Sequence, residues 1–259
     1  MEDLSKTSGL GLKLDVKKHS LILGKDLNKV KPEVRYLKEV KEALAEKSIT
    51  EPEQLYYIYR GLRDIQDEDI IRRNKLRYDV TVIRPGNLGN EYMKTAGQNH
   101  RGEYGELYEV VYGKAWCLLQ KKNIKNSRIV EDVILVKAVP GDKVVIPPEY
   151  GYTLINTGKT HLVVSCWVSS EFSSEYELYK MRGGAAYFIF KDNLGERFEA
   201  NPYYQEVPKI RVARPPEKIE KFGLSSREPM YLLARVQARK LDFLSNPLKY
   251  DYSDVFEFL

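Results

Sequence analysis

Cysteine is scarce in this chain: Cys117 and Cys166 are the only two among 259 residues, and each lies inside an apolar stretch. Thiols so placed exclude a disulfide-stapled scaffold and read as reduced core residues of a cytoplasmic protein. Histidine is nearly as rare, three in all, which disfavours any metal centre that needs many imidazoles. No run of about 18 apolar residues occurs, so no membrane partner is expected, and no signal-peptide pattern is present. Nor is charge of one sign in excess. The net +5 comes from 42 basic and 37 acidic residues mixed along the chain, with no basic patch to follow a phosphate backbone, so nucleic acid is not an expected partner. Repeats and low-complexity runs are lacking too. What remains is 42% hydrophobic and 31% charged residues, enough for a sizeable core.

The texture changes twice along the chain. Residues 10–23 alternate through Leu12, Leu14 and Val16 and then reach Leu21-Ile22-Leu23 before Gly24, which predicts short strands closed by a glycine turn. After Pro32, Val34, Leu37, Val40 and Leu44 recur at helical spacing and predict an amphipathic helix of about three to four turns. Leu55 to Arg60 is aromatic and β-branched and reads as a strand, whereas the charged stretch Asp64 to Asn74 reads as a surface connector. From Arg77 to Tyr204 short apolar runs are divided by turns such as Pro85-Gly86-Asn87 and Pro140-Gly141-Asp142, the pattern of an antiparallel sandwich or barrel. Beyond Glu206, prolines make the chain extended. A last helix is then expected after Ser226, with Leu233, Val236, Leu241 and Leu244 on one face and an end at Asn246-Pro247.

Two segments carry the chemistry. Gly97-Gln98-Asn99-His100 is followed by Glu106 and, after six intervening residues, Gly113; Gly141 is followed after five by Pro147, and Tyr152 after three by Asn156. This spacing resembles the two cupin metal-binding motifs. Thr81-Val82-Ile83-Arg84-Pro85-Gly86, then Gly89, Glu91, Thr95, Gly97, Glu106-Leu107-Tyr108, Pro147-Pro148 and Asn156-Thr157-Gly158 are similar to the archaeal, cupin-type glucose-6-phosphate isomerase family, over roughly residues 20 to 205. The resemblance implies a cupin, a double-stranded β-helix or jelly-roll barrel, at 77–205, with a strand–helix lead-in at 1–76 and a helical C-terminal extension at 206–259.

That family is homodimeric, interconverts glucose 6-phosphate and fructose 6-phosphate, and holds one divalent metal through three histidines and a glutamate. Carried over, the first histidine falls on Gln98, the second on His100, the glutamate on Glu106 and the third histidine on Tyr152. Only His100 and Glu106 are retained, and the loop between them is one residue shorter than the family pattern. An amide oxygen and a phenol are weaker ligands than imidazole, so iron, manganese, nickel or zinc would be held weakly or not at all. The resemblance places Thr81, Thr95 and Gly97 around the phosphate. Isomerisation needs a base, for which Glu106 is the candidate against a structural carboxylate paired with Arg101 or Lys114, and Tyr108, one alternation along the same strand, is placed to hydrogen-bond the sugar or to fill the core. The family's lysine beside that glycine is Ala96 here, and Lys94, Arg84 or Arg101 are the candidates to supply its charge. His19 and His161 match nothing and read as surface or strand-end residues. Two functions follow: an isomerase using Glu106, or a metal-free cupin that binds a sugar phosphate or another anion without transforming it. A cupin oxygenase or decarboxylase is disfavoured by the shortage of imidazole.

Overall fold

The structure is a computed structural model that describes residues 1–193 and 195–259. Two sheets face each other. One has six strands in the order 143–146, 106–112, 162–169, 76–83, 54–59 and 33–36, and the other runs 195–200, 187–192, 91–94, 150–156, 115–122, 130–138, 211–214 and 257–258, with 87–88 paired to 91–94 at its side. Nearly every neighbour pair is antiparallel, and sequence-distant strands such as 106–112 and 162–169 lie side by side. This is the jelly-roll arrangement of a cupin, mostly β: the turn spacing predicts its antiparallel strands, and the family resemblance its topology.

Side-chain alternation sorts each strand into an inner and an outer face. On strand 76–83, Tyr78, Val80 and Val82 pack outward while Asp79, Thr81 and Ile83 face the opposite sheet; on 162–169, Val163 and Trp167 face outward and Val164, Cys166 and Val168 inward. The inner faces form one apolar layer, with Ile83, Val110, Leu119, Ile134 and Leu154 among its buried members. The outer face of the six-stranded sheet is buried too. The 12–15/20–23 hairpin and the C-terminal extension cover it, through Leu12, Leu14, Met230, Tyr231, Phe243 and Leu244. Strands buried on both faces read as continuous apolar runs, which is why Leu162 to Val168 lacks polar alternation.

A buried polar latch fastens the extension. Glu109 points outward from the Glu106–Tyr112 strand, pairs with Lys143 Nζ at 2.8 Å and accepts the Met230 backbone N–H, while Trp167 Nε1 donates to Met230 O at 3.1 Å. Farther along, Tyr231 O–H and Arg235 Nε both donate to Asp67 at 2.7 Å.

Three expectations are corrected. Residues 33–36 are a strand, because their backbone pairs with 54–58 (Val34 opposite Tyr57); only one helical turn, Leu37–Val40, and a 3-10 turn follow. Edge pairing wins over a helical period that short. The Asp64–Asn74 stretch is mostly at the surface as expected but is more than a turn or connector: it holds the helix Glu68–Arg73, whose Ile71 is buried. In the extension the helix covers only Tyr231–Gln237 before tightening into a 3-10 run, Ala238–Leu244; Tyr231, Ala234, Leu241, Phe243 and Leu244 are buried and Val236 is 76% exposed. Leu241 and Leu244 of the expected face are buried and Leu233 half-buried, with Tyr231 and Phe243 beside them; only Val236 turns outward.

Candidate functional site

Gln98 and Tyr152, the two exchanged ligand positions, are direct cross-strand partners. Gln98 N–H donates to Tyr152 O at 3.0 Å and Tyr152 N–H to Gln98 O at 2.9 Å, so the two side chains leave the sheet together. Their tips meet: Gln98 Nε2 stands 2.5 Å from Tyr152 OH. Gly97 makes the turn before them with φ +83°, and a Cβ there would lie 2.3 Å from the Tyr179 ring and 2.6 Å from Thr153 Oγ1. Only glycine fits.

Glu106 lies where these side chains converge and is 1% exposed. Oε1 accepts from Gln98 Nε2 at 3.1 Å, and His100 Nε2 lies 2.7 Å from the same oxygen. Oε2 accepts from Tyr152 OH at 2.9 Å, Tyr108 OH at 3.1 Å and, more weakly, Cys166 Sγ at 3.5 Å. The Tyr108 and Tyr152 hydroxyls also touch each other, so their two protons are shared among these three contacts. The His100 contact is proximity rather than an aligned hydrogen bond, since neither ring nitrogen has an in-line partner. Phe172 stands edge-on to that ring at 5.2 Å.

Burial by itself would raise the Glu106 pKa, but His100, Tyr152 and Tyr108 outweigh it and hold the carboxyl below its ordinary value. Tyr108 and Tyr152 are pushed well up, first by burial and then by neighbouring charge, and Cys166 is pushed up by burial and by Glu106. The site at neutral pH is therefore one carboxylate ringed by protonated hydroxyls and a thiol.

Glu106, Tyr108, Tyr152, Thr81, Thr95 and Gly97 all line one cavity between the sheets, and Gln98 joins them. His100 does not; it sits behind Glu106 and lines a separate cleft beneath the C-terminal segment, with Asn99 and Tyr252. Three contributors escape a motif-based reading. Arg60 and Arg77 line the same cavity and both reach Asp79, Arg77 Nε at 3.0 Å and Arg60 at 3.3 Å. The signal was there, since Arg77, Asp79 and Thr81 share one face of a strand by simple alternation. The cations expected in their stead are committed elsewhere: Lys94 forms a buried ion pair with Glu91, Arg84 donates to Gln54 O at 3.0 Å, and Arg101 is exposed. His161 is strand-end as expected but buried, and its Nε2 is 2.7 Å from His19 Nδ1.

With this geometry in place, comparison with known proteins is informative. The model of the glucose-6-phosphate isomerase (GPI) family matches residues 30–206. The chain belongs to this family. Among its curated relatives, the glucose-6-phosphate isomerase of Thermococcus gammatolerans is 28% identical over 145 residues, 56% of this chain and 70% of that one. The enzyme of the same name from Thermococcus kodakarensis is 26% identical over 137 residues, 52% and 68% of the two chains, and that from Thermococcus litoralis is 27% identical over 113 residues, 43% and 56%. Hazelnut vicilin (15% identity, TM-score 0.37, 48% of this chain and 33% of that chain) and an oxalate oxidase in complex with glycolate (14%, 0.32, 39% and 46%) resemble the fold too slightly to bear on function.

The residues present do not suit the metal of the cupin motifs. Among the described residues no three His, Cys, Asp or Glu side chains gather as a ligand set. At the motif itself one imidazole and one carboxylate stand beside an amide and a phenol. Gln98 turns its N–H donor, not its oxygen, toward Glu106, and Tyr152 would have to lose a proton that its surroundings hold.

Proposed function

We propose that the chain interconverts glucose 6-phosphate and fructose 6-phosphate, with Glu106 as the base that carries the proton between C1 and C2. One observation supports this above the others: a fully buried carboxyl held below its ordinary pKa, hence ionised at neutral pH, faces a cavity that also holds two arginines. A carboxylate at the reacting carbons and cations for a phosphate are the two things an aldose–ketose isomerase of a sugar phosphate needs.

The phosphate is met by Thr81, Thr95 and the Gly97 turn together with Arg60 and Arg77. Thr95 Oγ1 already accepts the Leu154 N–H at 3.0 Å, which leaves its own O–H to donate outward. Asp79 holds both guanidiniums while the cavity is empty of anion and yields them to a phosphate dianion, the more highly charged acceptor. The same reading carries over the family's homodimeric assembly and a cytoplasmic location.

A coupled assay of fructose 6-phosphate to glucose 6-phosphate conversion tests it. Glu106→Gln should lower kcat by about 10²–10⁴-fold, the usual worth of a positioned base. A second reading, binding without turnover, draws on the saturation of Glu106 by protein donors. It takes precedence if calorimetry detects fructose 6-phosphate binding that Arg77→Met weakens while no turnover occurs.

A further inference from the structure

A carboxylate offers about four lone-pair positions. At Glu106 the protein crowds all of them: Gln98 Nε2 donates to Oε1 with His100 Nε2 2.7 Å from the same oxygen, and the Tyr152 and Tyr108 hydroxyls stand at Oε2 with Cys166 behind. A cation binding this carboxylate has to evict at least one donor. Ligand atoms about 2.0–2.2 Å from a common ion also sit roughly 3.0–3.4 Å apart, set by the coordination angles. Gln98 Nε2 and Tyr152 OH are 2.5 Å apart, and His100 Nε2 and Glu106 Oε1 are 2.7 Å apart, which is the spacing of direct contacts with nothing between. The buried ring nitrogens of His100, without an in-line partner, are the one feature that welcomes a cation, and His100 lines the second cleft, not this cavity.

We propose that in this chain the electrophile of the isomerisation is the Tyr108–Tyr152 hydroxyl pair and not a metal ion. The inference rests on the isomerase reading and specifies how the developing oxyanion is stabilised. Glu106 takes the proton from C2 of the open-chain aldose; the C–H electron pair becomes the C1–C2 double bond, and the carbonyl pair moves onto O1. The Tyr152 hydroxyl, turned from Glu106 to the sugar, donates to O1. It then accepts the O2–H proton while passing its own to O1, so Tyr152 ends as it began. The C2–O2 bond becomes a carbonyl, the double-bond pair takes the proton back from Glu106 at C1, and fructose 6-phosphate results with no atom or charge left over. Tyr108 donates its one hydroxyl proton to the Tyr152 oxygen, which holds that hydroxyl in place and makes it a stronger donor to the oxyanion.

The test has an activity arm and a binding arm. Purified protein is dialysed against EDTA and assayed for fructose 6-phosphate isomerisation, and Mn²⁺ and Zn²⁺ are titrated into it by calorimetry. Turnover should be unchanged by the chelator, and neither metal should show binding that His100→Asn abolishes. Tyr152→Phe, whose fold is checked by its thermal midpoint, should lower kcat by about 10²–10³-fold, the loss seen on removing one oxyanion donor, with KM nearly unchanged. In Gln98→His/Tyr152→His, calorimetry should detect a metal site that the native chain lacks. Turnover that falls with chelator and returns with either metal, or a Tyr152→Phe variant with native kcat, overturns the proposal while leaving the isomerase reading intact. An absence of turnover in the native chain overturns both.

Discussion

The pair of half-buried His19 and buried His161 gives a test of the structure that is independent of function. With Nδ1 of one ring 2.7 Å from Nε2 of the other, one imidazole donates and the other accepts, an arrangement that two protonated rings cannot make. Burial first, then His19 and Arg84, push the His161 pKa down from 6.5 to about 4; His19 is pushed down by burial and Arg84, with Asp15 opposing. The unfolded imidazole takes up its proton near pH 6.5, whereas the native one refuses it until about pH 4, so the stability held above pH 6.5 drains away as pH falls through that window. The full shift corresponds to about 3 kcal/mol. His161 is 5% exposed but lies shallow, beside the turn that carries His19, so water screening reduces the expected loss to roughly 1–2 kcal/mol. Carboxyls can mask it: Glu109, raised to about 7 by burial, loses stability in the opposite direction, as pH rises. The measurement is therefore a difference. Urea unfolding of the native chain and of His161→Gln, whose amide keeps a partner for His19, is compared at pH 7.5 and pH 4.5. The native advantage should shrink by about 1–2 kcal/mol on acidification. An advantage that stays constant across that range would refute the neutral pair.

Other consequences are equally measurable. Lys143→Met leaves Glu109 buried without its partner beside the Met230 N–H, and should cost about 3–5 kcal/mol in denaturant unfolding; a loss under about 1 kcal/mol would show that the latch does not hold the extension. Gly97→Ala meets the Tyr179 ring as well as an unfavourable φ, whereas Gly61→Ala at φ +64° meets nothing within 4 Å, so the first should cost at least about 1 kcal/mol more than the second. Arg77→Met should raise KM for fructose 6-phosphate about tenfold or more while kcat changes little, the signature of a lost charge-assisted contact to phosphate; an unchanged KM would remove Arg77 from the binding site.

The barrel was legible because its strands are short, apolar and punctuated by glycine and proline; Lys143–Ile146 is a strand with the bounds its apolar run implies. What misled was period without context. Val34, Leu37, Val40 and Leu44 satisfy a helix, yet the open edge of the Gln54–Tyr59 strand supplies backbone partners to 33–36 that an isolated sequence does not advertise. Likewise Val236 looks like part of a buried stripe, yet the helix ends at Gln237 and Tyr231 and Phe243 take the groove beside Trp167 and Phe222. At the site, motif spacing located Gln98, His100, Glu106 and Tyr152, and alternation placed Tyr108 beside Glu106. Cys166, on strand 162–169, and Arg60, just past the end of strand 54–59, are far away in sequence, and only the register of those strands brings them to the same cavity.

The donor ring around Glu106 raises a problem that its own geometry resolves. Donors that lower the carboxyl pKa make it a weaker base, which works against proton abstraction from carbon. But the donors are not equivalent. Tyr152 and Tyr108 bond Oε2 from within the cavity, whereas His100 approaches Oε1 from behind. A sugar whose O1 and O2 draw the two hydroxyls away takes hydrogen bonds from Oε2 only, so the proton affinity of Glu106 rises when substrate is bound and falls again when it leaves. His100 meanwhile keeps the carboxylate in position through the oxygen that does not react. On this argument, replacing the histidines of the motif with an amide and a phenol converts a ligand shell into a set of movable donors. The pH profile of kcat for the native chain should then show its acidic limb at a higher pH than that of kcat/KM, because the first reports Glu106 with substrate bound and the second reports it free. Coincident limbs would mean that the hydroxyls do not move.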